Sequence, residues 1–145
     1  MSELTSHSVP QRSISATAAH AAVAAAVAEA GRLGIRINAA VVDAGGNLAA
    51  FLRMPGAFIH SIDIAIDKAY TAASFGFPSS QWAAIVDSDK MLHHALNQRA
   101  RLVMIGGGLP MREGGELIGG IGVSGGSAEQ DEACAAAAIK ALSLA

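Results

Sequence analysis

The chain has little of what would place it outside a reducing, aqueous setting. It holds one cysteine, Cys134, in 145 residues, which excludes an internal disulfide framework and fits a reducing compartment. Charged residues make up only 15%, against about 25% in ordinary globular chains. A surface this short of charge predicts that part of an apolar exterior is covered by self-association, as a homo-oligomer. Nor is there an excess of basic residues: 10 Lys and Arg stand against 12 Asp and Glu, net charge −2. The basic residues are scattered, so there is no footprint for nucleic acid. A long apolar run is missing too. The best candidate, "ISATAAHAAVAAAVAEAGRLGI", is mostly alanine and is interrupted by His20, Glu29 and Arg32, whereas a membrane span needs about 20 predominantly apolar residues. "MSELTSHSVPQRS" lacks the charged start and apolar core of a secretory signal. The expected location is the cytoplasm, with no membrane partner.

What is present is alanine and glycine, within a composition that is 52% hydrophobic. The length suits one domain, placed here at residues 13–145 behind a polar, mobile arm at 1–12. Ser13 or Ser15 can cap a helix running to about Leu33, stopped by Gly31 and Gly34. "INAAVVDAGGNLAAFLRM" reads as a hairpin turning at Gly45-Gly46, and Pro55-Gly56 ends it. Residues 57–75 carry Phe58, Ile62, Ala65, Ala69 and Ala72 at helical spacing, and Gly76 and Pro78 end that second helix. "PSSQWAAIVDSDKMLHHALNQ" reads as one or two short helices capped by Ser79 or Ser80 and by Asp87 or Asp89. "RLVMI" and "ELIGGIGVSG" read as strands around the glycine-rich "GGGLPMREGGE", and residues 127–144 as a last helix. Hairpin strands and helices without regular βαβ alternation predict an α+β domain, an antiparallel sheet with helices packed on it.

Gly120, Gly122 and Gly125 spell G-x-G-x-x-G before that last helix. The pattern is that of a dinucleotide-binding loop, but its context is wrong. Only 20 residues follow Gly125, which leaves no second strand and no acidic ribose contact after it. Glu129, Asp131 and Glu132 also stand where a pyrophosphate would need positive potential. The alternative is that Gly119, Gly120 and Gly122 lie in a strand crossed closely by an alanine-rich helix, and this reading is preferred.

Together, "VVDAGGNLAAFLRMPGA", "DKAYTAASF", "GGGLPM" and "LIGGIGVSGGSAEQDEACAAAA" resemble the GlcG/HbpS family, which includes the C-terminal domain of PduO. The resemblance runs from about Ser13 to the end of the chain. It implies an antiparallel sheet of about five strands flanked by helices, and assembly into dimers or larger oligomers. It also implies a small-molecule ligand, since members bind haem or related tetrapyrroles. Other members accompany operons for small organic acids, diols or aromatic compounds. Function transfers less securely than fold.

By the same resemblance, His20 stands where one branch of the family uses a histidine as axial haem ligand. The plain alternative is a helix histidine hydrogen-bonded at an interface. No C-x-x-C-H occurs, so covalent haem attachment is excluded. Lys68 and Arg53 match charged positions in the family's "K-A-x-T-A-A" and "R-M-x-G-A" segments.

Read from the residues themselves, Lys68 emerges among Ala65, Ala69 and Ala72, and a buried lysine needs a partner; Asp43 or Asp131 can supply one. Lys68 is then either a structural ion pair or, with Arg53 and Arg112, a site for a carboxylate or haem propionate. Ser124 and the glycine turns could offer hydrogen-bond donors to the same anion. Ser124 is not in G-x-S-x-G, so a serine hydrolase is not indicated. His60, Asp63 and Asp67 share a helix face and are either an acid/base set or a solvated acidic surface. Metal binding is thinly supported, because no second ligand cluster has matching spacing. His93 and His94 read as surface or oligomer contacts, and Cys134 as inert packing. Two functions follow. One is an oligomeric protein binding haem or another planar anionic molecule. The other is a small catabolic enzyme acting on a carboxylated intermediate, with His60 or Asp67 as base and Lys68, Arg53 or Arg112 holding the carboxylate.

Overall fold

The computed structural model describes residues 6–144. Of the arm expected at 1–12, residues 1–5 lie outside the described residues. The remainder is tied down at its end: Arg12 meets Glu113 at 2.6 Å and its backbone N–H donates to Glu116 at 3.0 Å.

Helix α1 spans Ala16–Leu33. Ser15 caps it by accepting the Ala18 N–H, and Gly34 ends it at φ 74°, a left-handed conformation that glycine adopts without penalty. Strands β1 (Asn38–Asp43) and β2 (Leu48–Arg53) form the expected hairpin. The Asp43 carboxylate closes its turn by accepting the N–H groups of Gly45 and Asn47, each at 2.9 Å. Helix α2 is His60–Phe75. It starts later than its apolar pattern implied, because the Pro55-Gly56 turn holds Ala57 against Met54 first. A 3₁₀ turn at Ser79–Gln81 leads into α3 (Trp82–Asp87) and α4 (Lys90–Leu96), the latter capped by Asp89. Strands β3 (Gly108–Glu113) and β4 (Glu116–Ser124) precede α5 (Ala128–Ala141).

The sheet order is β2-β1-β4-β3, antiparallel throughout. The protein is thus α+β with four strands, not about five. The expected "RLVMI" strand is absent. Its Val103 N–H goes to the Thr71 hydroxyl on α2 at 3.0 Å, so this segment satisfies its backbone on a helix side chain instead of a strand ladder. β1 is central and nearly wholly buried, and its alternation sends two sets of side chains to two cores. Ala39 and Val41 join the core under α1 and α5, where Val23, Met111, Ile121 and Cys134 pack. Ala40 and Val42 meet Ala65, Ala69 and Ala73 of α2 on the other face. None of the described helices is long and apolar enough to cross a membrane.

The glycines of β4 explain the motif that looked like a nucleotide loop. A Cβ on Gly120 would lie 2.5 Å from the Ala69 carbonyl oxygen, and one on Gly122 would collide with the Ala65 carbonyl. They let α2 lie on the sheet at backbone contact. The start of α5 is already filled: Ser127 and Gln130 form a reciprocal capping box, and the Asp131 carboxylate accepts the Gly126 N–H at 2.8 Å. The protein's own acid occupies the place a phosphate would take.

Candidate functional site

Helical spacing turns Ala65, Lys68, Ala69 and Ala72 of α2 toward the sheet, and all four are buried. The close approach over Gly120 and Gly122 leaves the lysine no path to solvent. Its ammonium donates to the Val123 carbonyl at 3.0 Å and to Asp131 Oδ2 at 3.1 Å, with only 1% and 3% of the two side chains exposed. Gly107 closes the chamber, since a Cβ there would lie 2.7 Å from Lys68 Nζ. Burial pushes the lysine down from its ordinary pKa, against the attraction of Asp131. Burial likewise pushes Asp131 up, against Lys68 and the N–H groups of Gly126 and Gly125. Of the two partners that the sequence offered Lys68, the structure selects Asp131. The pair braces α2 to α5 at the end of β4.

The arginines do not join it. Arg53 lies in one row with Asn38 and Ser124 across β2, β1 and β4. Arg112 pairs with Leu117 near the opposite end of β4, about 23 Å from Ser124 along the strand at about 3.3 Å per residue. Each is used at one end of α2. Arg53 Nη2 donates to the Ala57 carbonyl before the helix at 2.7 Å. Arg112 Nη2 donates to the carbonyl of Gly76, the C-cap, at 2.9 Å, where a cation suits the helix dipole. The constellation of Arg53, Lys68 and Arg112 around one anion is therefore not assembled. Ser124 is buried and adjoins Asn38, whose amide donates to the Phe58 carbonyl at 3.1 Å while its Oδ1 has no partner. Nothing in the strand-like "INAAVV" marks Asn38 as a residue with a buried, unpartnered amide oxygen.

His60 and Asp63 are exposed at the start of α2. Asp67 accepts from Arg101 Nε at 3.1 Å. Lys68, on the sheet side of the same helix, gives its ammonium to Val123 and Asp131 and not to these residues. Among the described residues no three His, Cys, Asp or Glu side chains converge on a metal position. His20 is exposed midway along α1, and its exposed neighbours Ala16, Thr17, Ala21 and Ala24 are all small. His93 is exposed, as is His94, which lies 3.0 Å from Gln98. Tyr70 and Arg101, which no local motif in the sequence links, meet with the guanidinium carbon 3.7 Å from the ring centroid. A tyrosine two residues after Lys68 was the available signal, but its partner lies 31 positions away.

Cys134 is fully buried in α5. Burial first, then the charges of Asp131 and Glu29, push its thiol up to about 11. A disulfide reagent such as DTNB at pH 8 should leave it unmodified in the folded protein and react promptly after unfolding in urea, because the thiolate is the nucleophile. Rapid reaction of the native protein would contradict this placement.

The comparisons place the chain among known proteins of the same fold. The family described as haem degrading protein HbpS-like matches residues 14–140. An uncharacterized 15.0 kDa protein from the dhaT-dhaS intergenic region of Citrobacter freundii is 37% identical, over 90% of this chain and 92% of that one. The corrinoid adenosyltransferase PduO of the same organism is 33% identical over 93% of this chain, which spans only 41% of PduO. Among solved structures, protein ORFY of Klebsiella pneumoniae superimposes with a TM-score of 0.89 at 33% identity, covering 95% of this chain and 96% of that one. A PduOC:heme complex superimposes at 0.84 with 33% identity, covering 92% and 97%. With a family match over most of its length and the same α+β fold in these neighbours, the chain belongs to the HbpS-like family.

Proposed function

We propose that this protein binds haem, or another planar anionic tetrapyrrole, as an oligomer, with His20 as the protein ligand to the iron. The observation that carries the reading is the setting of His20. Its imidazole stands exposed on α1, and nothing larger than threonine rises beside it at Ala16, Thr17, Ala21 or Ala24. The eight steps of helix from Ala16 to Ala24 give a flat strip about 12 Å long at about 1.5 Å per residue. Such a strip fits one face of a macrocycle, and imidazole nitrogen is a common haem ligand. Support also comes from a related domain, 33% identical, whose structure is a complex with heme.

One chain supplies only one wall of this site, so a second wall from a second copy completes the reading. The low charge content supports self-association, as does the exposure of Phe58, Ile59 and Met91, which are 66%, 76% and 78% accessible. The catalytic alternative gains no such support. Lys68 is enclosed with Asp131 and Asp67 is engaged by Arg101.

Haemin titrated into the purified protein should produce a saturable, shifted Soret band, and His20→Ala should move that band or weaken binding by at least about tenfold, the effect of 1.4 kcal/mol. Sedimentation should show an oligomer. Because His20 is exposed, the variant should keep the wild-type unfolding midpoint. A flat titration, or identical spectra for both proteins, would overturn the assignment.

A further inference from the structure

A second cleft lies on the other side of the molecule, between α2 and the segment that follows α4. It encloses about 300 Å³, the lower end of the volumes that hold small-molecule ligands. That is too small for a tetrapyrrole, so it is separate from the His20 strip. We infer that this cleft binds a small carboxylate with an apolar body, its anionic head held by Arg99 and Arg101 and its body against Phe75, Leu96 and Leu102.

The argument starts from the backbone of Arg101. It has φ 65°, a left-handed conformation that residues with a side chain rarely adopt. Such positions persist only where the surroundings over-determine them, and they concentrate at ligand sites. Here Thr71 is the device that holds it. Its hydroxyl oxygen accepts the Val103 N–H at 3.0 Å, and its one proton is shared between the carbonyls of Asp67 at 2.7 Å and Arg101 at 2.9 Å. The result lays the guanidinium over the Tyr70 ring, with Nε spent on Asp67. The ring itself cannot retreat, because Gly46 of the hairpin packs so closely that a Cβ there would lie 2.7 Å from it.

The arrangement leaves unspent donors on two residues that line the cleft. Among the described residues neither Nη of Arg101 has an acceptor, and the Arg99 guanidinium has none either. The Ser74 hydroxyl also lines the cleft, and no acidic side chain does. Asp67 neutralises one guanidinium from outside, which leaves one net positive charge facing the cavity. One net charge suits a monocarboxylate, and the planar N–H edges of arginine match a carboxylate bidentately. The rest of the lining is mixed, with Phe75, Leu96, Ala100 and Leu102 beside Tyr70 and Thr71, so an acid carrying an aromatic or branched hydrocarbon group meets apolar surface that a bare inorganic anion would leave unused.

Benzoate is the direct probe. Titration of the 145-residue chain followed by calorimetry should show saturable one-to-one binding, while benzyl alcohol, of the same shape without the charge, should show none. Arg99→Gln and Arg101→Gly should each weaken benzoate binding by at least about tenfold, the ordinary effect of losing a charge-assisted contact. Glycine at position 101 accepts the left-handed backbone, so this variant removes the guanidinium without straining the segment. Arg99 is exposed, so Arg99→Gln gives the answer even if the other variant is unstable. Haemin binding should be unchanged in both, which separates this site from the one at His20. Failure of the wild type to bind benzoate saturably, equal binding by wild type and both variants, or equal binding of benzyl alcohol would each overturn the proposal.

Discussion

Lys68→Met should destabilise the protein by about 3–5 kcal/mol, because it strands the buried Asp131 carboxylate without its counter-charge. Methionine replaces the stem with nearly equal volume, so the loss comes from the charge and not from a cavity. The carboxylate keeps its Gly126 N–H, but that contact cannot replace an ammonium 3.1 Å away. The double variant Lys68→Met/Asp131→Leu should recover most of the loss, since an apolar pair of similar size removes both desolvation penalties. Urea denaturation of the wild type, both single variants and the double variant measures the coupling directly.

The pH dependence of the single variant has a definite sign. Burial already raises Asp131 above its ordinary value in the presence of Lys68, and removing the lysine raises it further. A folded state that binds the proton more tightly than the unfolded chain gains stability as pH falls. The deficit of Lys68→Met should therefore shrink on going from neutral pH down toward the unfolded carboxylate value of about 4. The double variant should lack this slope. A loss under about 1 kcal/mol, the size measured for exposed pairs, or a deficit that grows toward acid, would contradict the brace between α2 and α5.

Gly122→Ala should cost about 3 kcal/mol, at the upper end of the usual range for overpacking. The added methyl would meet the Ala65 carbonyl and Ala69 N–H of α2, with Lys68 Cβ at 3.0 Å. Two of these neighbours are backbone inside the hydrogen-bonded helix α2, whose C-cap carbonyl is also held by Arg112, so they cannot step aside singly. Gly31→Ala is the matching control. It lies exposed in α1 with nothing within 4 Å of the new methyl, and alanine there should stabilise by about 0.5–1 kcal/mol. Opposite signs for one chemical change in the two sites would show that close approach, and not glycine flexibility, explains the pattern in β4. Wild-type stability in Gly122→Ala would falsify the packing argument.

Local chemistry was legible along much of the chain. Ser15, Asp89 and Ser127 cap their helices, and Gly34 and Gly76 end theirs, because caps and left-handed stops depend on residues a few positions apart. The reading of Gly120 and Gly122 as packing glycines rested on similarly local facts: no second strand follows, and acids begin the last helix. The strand expected at "RLVMI" misled because apolar, β-branched residues show a tendency but not a partner. Whether a neighbouring edge exists is decided elsewhere in the fold, and here Thr71 supplied the hydrogen bond instead.

The candidate site divides in the same way. Sequence by itself determined the family, the α+β class, and the need of Lys68 for a counter-charge, since a lysine within an alanine face cannot be buried unpaired. It could not choose between Asp43, which pairs with Gly119 in the sheet, and Asp131, which sits on α5 against Gly126 just beyond the end of β4. Nor could it reveal that Arg53 and Arg112 are spent on the two ends of α2, or that Arg101 stacks on Tyr70. Those outcomes depend on strand order and register, where a shift of one strand or two residues moves a side chain to another corner or another partner. Charge requirements are written in the chain residue by residue, but the partners that meet them are chosen only when distant segments pack.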